Sequence, residues 1–150
     1  MRARCDRSVL WRYFCGLTAG CWLLGLPLVV AKADDATLAI ELNKVESTAE
    51  GCRTLFVFDN RTGYELHRFR VDLILFDPKG IYKEQLLLDM APLYADKKTV
   101  GAFLLEDESC DTIGSILVNG IPQCENGAGD AIECVEMLKV NSLSDIPLER

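Results

Sequence analysis

Phe69-Arg70-Val71-Asp72-Leu73-Ile74-Leu75-Phe76-Asp77-Pro78-Lys79-Gly80 reads as a β-strand running into a turn. Phe69, Val71, Leu73 and Leu75 recur at period two on one face, and Arg70, Asp72, Ile74 and Phe76 occupy the other. Asp77-Pro78-Lys79-Gly80 ends it. Proline pre-sets the second turn position and glycine accepts a positive φ.

The same punctuation continues on both sides. Strands are expected over about Thr37–Val45, Arg53–Phe58, Glu65–Phe76, Ile81–Leu88, Lys98–Leu105, Ile113–Asn119 and Glu133–Asn141, with turn residues between them. Asp59-Asn60-Arg61-Thr62-Gly63 closes the second, and the breaker-rich segment Gly120 to Asp130, with Pro122, Gly127 and Gly129, is read as a loop. Residues Ala131 to Leu138 could also form a short helix. The fold class expected is all-β: an antiparallel, immunoglobulin-like β-sandwich of about seven strands.

Residues 1–33 have the layout of a cleavable signal peptide: a basic stretch Met1 to Arg12, an uncharged run Tyr13 to Ala31 and the small-x-small site Ala31-Lys32-Ala33. Pro27 breaks the apolar helix just ahead of that site. An uncleaved anchor and a lipoprotein box at Leu17-Thr18-Ala19-Gly20-Cys21 are the rivals. Residues 34–150 then form a single domain with 11 basic and 22 acidic side chains. So acidic a domain repels nucleic acid and anionic membrane surfaces, so neither is expected as a partner, nor is membrane insertion after signal cleavage.

Removal of the leader takes away Cys5, Cys15 and Cys21 and leaves Cys52, Cys110, Cys124 and Cys134. Four cysteines in an exported domain imply two disulfides, in any of three connectivities. Structural zinc wants closer-spaced pairs. If the strands alternate up and down, the first and fifth inter-strand loops share one end, and the sixth lies at the other. That parity favours Cys52–Cys110 and Cys124–Cys134.

Phe69 to Gly80 resembles the strand-and-turn signature of FxLyD-type extracytoplasmic sandwich domains. Over a longer span, Leu38 to Pro147, the chain is similar to a group of uncharacterised small exported proteins of alphaproteobacterial type. That similarity rests on Gly51-Cys52-Arg53, Leu75-Phe76-Asp77, Cys110-Asp111-Thr112-Ile113, Ile116-Leu117-Val118-Asn119, and Cys124 with Cys134. It implies a periplasmic or secreted sandwich and no assigned activity.

Chemistry is thinly represented. No nucleophile-elbow, phosphate-loop or zinc-protease motif is present, so no enzyme and no cofactor are expected. His67, the one histidine, falls on the face of Phe69 and reads as structural. Glu106, Asp107, Glu108 and Asp111 could offer oxygen ligands to calcium, although their spacing fits no EF-hand, and a solvated acidic loop is the plainer reading. Asn60-Arg61-Thr62 is formally a glycosylation sequon.

The second and third strands carry apolar residues on both faces: Phe56 and Phe58 against Leu55 and Val57, Ile74 and Phe76 against Leu73 and Leu75. A two-layer sandwich buries one face of each sheet. Either loops cover the second set, the plainer reading, or it forms an exposed patch of the kind that marks interaction sites. The expected function is a non-catalytic interaction module, with Phe56, Phe58, Ile74 and Phe76 as the surface and a protein of the cell envelope as partner. The alternatives are a divalent-cation or small-ligand binding domain on the acidic loop and an inhibitor of an envelope hydrolase.

Overall fold

A computed structural model describes residues 36–150. The expected signal peptide, residues 1–33, lies outside the described residues. Eight strands form: β1 (Thr37–Ser47), β2 (Gly51–Arg61), β3 (Leu66–Phe76), β4 (Tyr82–Asp89), β5 (Lys97–Glu106), β6 (Ser115–Asn126), β7 (Leu138–Ser142) and β8 (Leu148–Glu149). A single 3-10 turn, Cys110–Thr112, precedes β6, and no α-helix occurs among the described residues. The strands make two four-stranded sheets, in the orders β5-β2-β1-β7 and β4-β3-β6-β8. The protein is an all-β sandwich.

Alternation in the sequence becomes alternation in burial. Leu38, Ile40 and Leu42 of β1, Phe56 and Phe58 of β2, and Phe69, Val71, Leu73 and Leu75 of β3 are all buried between the sheets. Phe58 meets Phe69 across the layers edge-on, with ring centroids 6.0 Å apart. Bulges reset the period twice. The register slips between Leu42 and Lys44, which lets Val45 pack against the core three positions after Leu42. A second slip between Leu66 and Arg68 buries Leu66 and Phe69 and turns His67 outward, away from the face expected for it.

Three expectations are corrected. The sheets are mixed, because β1 pairs with β7 and β6 with β8 in parallel. Under strict alternation, strands of equal parity run the same way, so making them neighbours forces a parallel ladder. Gly120 to Asp130 is likewise not all loop, since β6 continues through Pro122 to Asn126. Pro122 sits where the β3–β6 register jumps, between the pairs Arg70↔Gln123 and Asp72↔Gly120. A bulge is where a strand tolerates a residue without an N–H. The next segment is turn rather than strand or helix, and β7 begins at Leu138.

Contacts between loops sort the domain into two ends. At one end Cys52 is bonded to Cys110, with Cα atoms 4.9 Å apart. There too Gly114 donates to the Phe76 carbonyl at 2.8 Å beside the Asp77 turn. A Cβ on Gly114 would lie 2.3 Å from the Asp77 oxygen, so only glycine permits that approach. At the other end Cys124 is bonded to Cys134, and Asn60 ties the β2–β3 connection to the segment after β4.

Candidate interaction surface

The sandwich divides the proposed aromatic surface in two. Phe56 and Phe58 belong to the core, with Phe56 packed on Phe103 at 6.0 Å, and cannot meet a partner. Their face of β2 points inward because Thr54, Phe56, Phe58 and Asn60 are the buried parity. Ile74 and Phe76 lie on the outer face of β3, half-buried. No loop covers either outer set completely: Leu55 and Val57, on the outside of β2, are half-buried as well.

Register brings further residues to the outer face of β4-β3-β6. Tyr82 pairs with Phe76, Leu87 with Asp72, and Leu117 of β6 with Ile74. Tyr82 is 57% exposed and Leu87 59%. Sequence reading missed both, because in Leu86-Leu87-Leu88 the core residues are Leu86 and Leu88, and nothing in three adjacent leucines says which parity is wet.

A polar clasp sits among these side chains. Asp72 on β3 accepts from Gln85 Nε2 at 2.8 Å and from Asn119 Nδ2 at 2.6 Å, one donor to each carboxylate oxygen. One donor from each neighbouring strand thus satisfies a buried carboxylate on an outer face.

The acidic loop does not converge on a cation site. Glu108 is engaged by Lys83 at 2.7 Å and lies 3.0 Å from the Thr112 hydroxyl. Those hydrogen bonds, led by Lys83, hold its carboxyl below the ordinary glutamate value of 4.5 despite partial burial. Asp111 accepts from the Ser109 hydroxyl, which lowers its pKa too. Glu106 closes β5, and Asp107 turns the chain at φ 58°. Among the described residues no three His, Cys, Asp or Glu side chains come close enough to hold a metal ion.

Next to this loop lies a shallow polar groove of about 230 Å³ between Ser47–Gly51 and Asp107–Ser109. Gly51, at φ 147°, shapes it, since a Cβ there would lie 2.1 Å from the Leu105 carbonyl oxygen. His67 is exposed and paired with Glu65 at 2.9 Å, and among the described residues no nucleophilic side chain is bonded to it.

Among the described residues no helix is long and apolar enough to cross a membrane. Two disulfides in a domain of this size point to an oxidising, extracytoplasmic compartment. Comparison with known proteins finds no matching family model, no matching curated protein and no matching solved structure.

Proposed function

We propose that this chain is an exported, non-catalytic interaction module that docks a protein of the cell envelope on the outer face of β4-β3-β6. The observation that carries the reading is the cluster of Ile74, Phe76, Tyr82, Leu87 and Leu117 on the outer face of one sheet. Aromatic and aliphatic side chains around satisfied polar groups are the composition of a protein interface core. The docked protein presents an apolar patch with a basic rim, because the domain carries twice as many acidic as basic side chains and steers cations towards itself.

Export through a cleavable leader, residues 1–33, to the periplasm or the medium completes the proposal. An immunoglobulin-like classification is supported by the pairs β2–β5 and β3–β6, which match the B–E and C–F pairs of that fold, although β5 is here an edge strand. The seventh strand departs from it by joining β1 instead of β6.

A photo-crosslinking side chain at Tyr82 tests the docking face. The expected result is a discrete adduct with one envelope protein, lost when Leu87→Glu is added on the same face. Leu87 is exposed, so that change leaves the core intact. Equal labelling from a probe at Lys44, on the opposite sheet, or survival of the adduct in the Leu87→Glu background, would overturn the assignment.

A further inference from the structure

Among the described residues the sandwich has four sheet edges, and three are protected. β8 is two residues long, and β7 is five residues long with Lys139 and Asn141 in it. β4 carries Lys83, Glu84, Gln85 and Asp89. Short length and charge are the usual means of stopping a sheet edge from pairing with another chain. β5 has neither across its middle: it runs ten residues, and Thr99 to Leu105 contains no charge and no proline.

The phase of β5 can be read from its ladder with β2. The Asp107 N–H donates to the Glu50 carbonyl at 3.1 Å, the Thr54 hydroxyl donates to the Phe103 carbonyl at 3.2 Å, and the Leu105 carbonyl crowds Gly51. Odd-numbered residues of β5 therefore turn their backbone groups towards β2. Because these groups alternate sides along a strand, Lys98, Val100, Ala102, Leu104 and Glu106 present theirs to the open edge. The same five residues point their side chains outward, with Val100 64% and Leu104 41% exposed.

We infer that β5 is a self-complementary edge that pairs antiparallel with β5 of a second copy of this chain, joining two four-stranded sheets into one of eight strands. Place Ala102 on the two-fold axis. Val100 then faces Leu104 of the other copy, and Lys98 faces its Glu106, with each relation repeated by symmetry. Every one of these is a hydrogen-bonded pair on the outer face, so unsatisfied backbone groups and side chains are matched by one register. Sliding the strands by two residues sets Lys98 against Leu104 in one direction and Val100 against Glu106 in the other. Only the central register pairs opposite charges.

Within one chain Lys98 already lies 3.7 Å from Asp59 of β2, and it remains largely exposed. The second copy's Glu106 would approach that exposed side. Val100 and Leu104 would then lie side by side across the axis, joining the outer apolar strips that each copy continues through Leu55 and Val57 of β2. This surface is on the opposite sheet from the proposed docking face, and the two can fail independently.

Sedimentation of the protein expressed from the full chain, recovered with both disulfides formed, tests the pairing. The expected result is a concentration-dependent monomer–dimer equilibrium. Lys98→Glu sets two carboxylates against each other at both ends of the interface and should weaken dimerisation at least tenfold, and Lys98→Glu/Glu106→Lys should restore it. Loss of the internal Lys98–Asp59 contact alone would not be rescued by the second change. Ala102→Pro removes the two central hydrogen bonds without touching the β2 ladder and should give a monomer with an unchanged far-ultraviolet spectrum. A wild-type chain that stays monomeric throughout would overturn the inference. So would a dimer indifferent to Lys98→Glu.

Discussion

Asn60 is the side chain on which the lower end of the sandwich turns. It is fully buried, its amide donates to the carbonyls of Tyr64 at 2.8 Å and Leu93 at 2.9 Å, with Tyr94 at 3.3 Å, and its oxygen accepts from the Thr62 N–H and hydroxyl. It thereby joins the β2–β3 connection to the segment leading into β5. The Asn-x-Thr triplet that spells a sequon is here a structural turn, with the threonine serving the asparagine rather than an attached sugar. Asn60→Ala would take the amide donor from the Tyr64 and Tyr94 carbonyls, one of two donors from Leu93 and the acceptor from Thr62, and should destabilise by about 2–4 kcal/mol in urea unfolding. Asn60→Asp should cost as much, because it turns the donor into a carboxylate facing carbonyl oxygens. A loss below about 0.5 kcal/mol in both would remove the hub role. The residue was visible in the sequence as a turn former, but its partners lie 33 positions away and no local pattern names them.

At the scale of elements, the upper end is closed by a bridge between β4 and the β5–β6 loop. Lys83 and Glu108 are only 20% and 21% exposed, and both reach the Thr112 hydroxyl. Glu108 has its pKa lowered in the folded state, so the bridge contributes stability that is complete above the unfolded value near 4.5 and is lost as pH falls through the folded value. Glu108→Gln should therefore destabilise by about 1–2 kcal/mol at pH 7, and the difference from wild type should shrink towards zero as pH falls through the lowered folded value. Urea titrations at pH 7 and across the acidic range check it, and a pH-independent difference would assign Glu108 a packing role instead. β1 to β5 were legible as runs rich in β-branched, aromatic and other apolar residues separated by turn-forming segments. β6 and β7 were not. Pro122 and Gly120 look like punctuation when a bulge absorbs them, and Glu133 to Met137 has strand-like composition although the backbone spends it on turns beside Cys134.

For the whole molecule, parity decided more than propensity did. Alternating strands put Cys52 near Cys110 and Cys124 near Cys134, and the contacts of Gly114 with the Asp77 turn and of Asn60 with Leu93 sort the remaining loops to the same two ends. The order of strands within each sheet was not legible, since parity fixes direction and leaves neighbours free. That is why the parallel ladders β1–β7 and β6–β8 came only with the fold. The surface was half legible, because two-sided apolar strands announce an excess without saying which face the sandwich leaves outside. The two disulfides differ in what they enclose: Cys52–Cys110 spans 58 positions and Cys124–Cys134 spans 10. By loop-closure entropy the first should stabilise by about 4 kcal/mol and the second by about 3 kcal/mol. A small sandwich has a total stability of roughly 5–15 kcal/mol, so losing the first removes much of it. Thermal melts of the double variants Cys52→Ala/Cys110→Ala and Cys124→Ala/Cys134→Ala should rank in that order, the first pair melting lower. Full reduction should approach unfolding at physiological temperature, which ties the fold to an oxidising compartment. Equal melting temperatures for reduced and oxidised protein would break that tie.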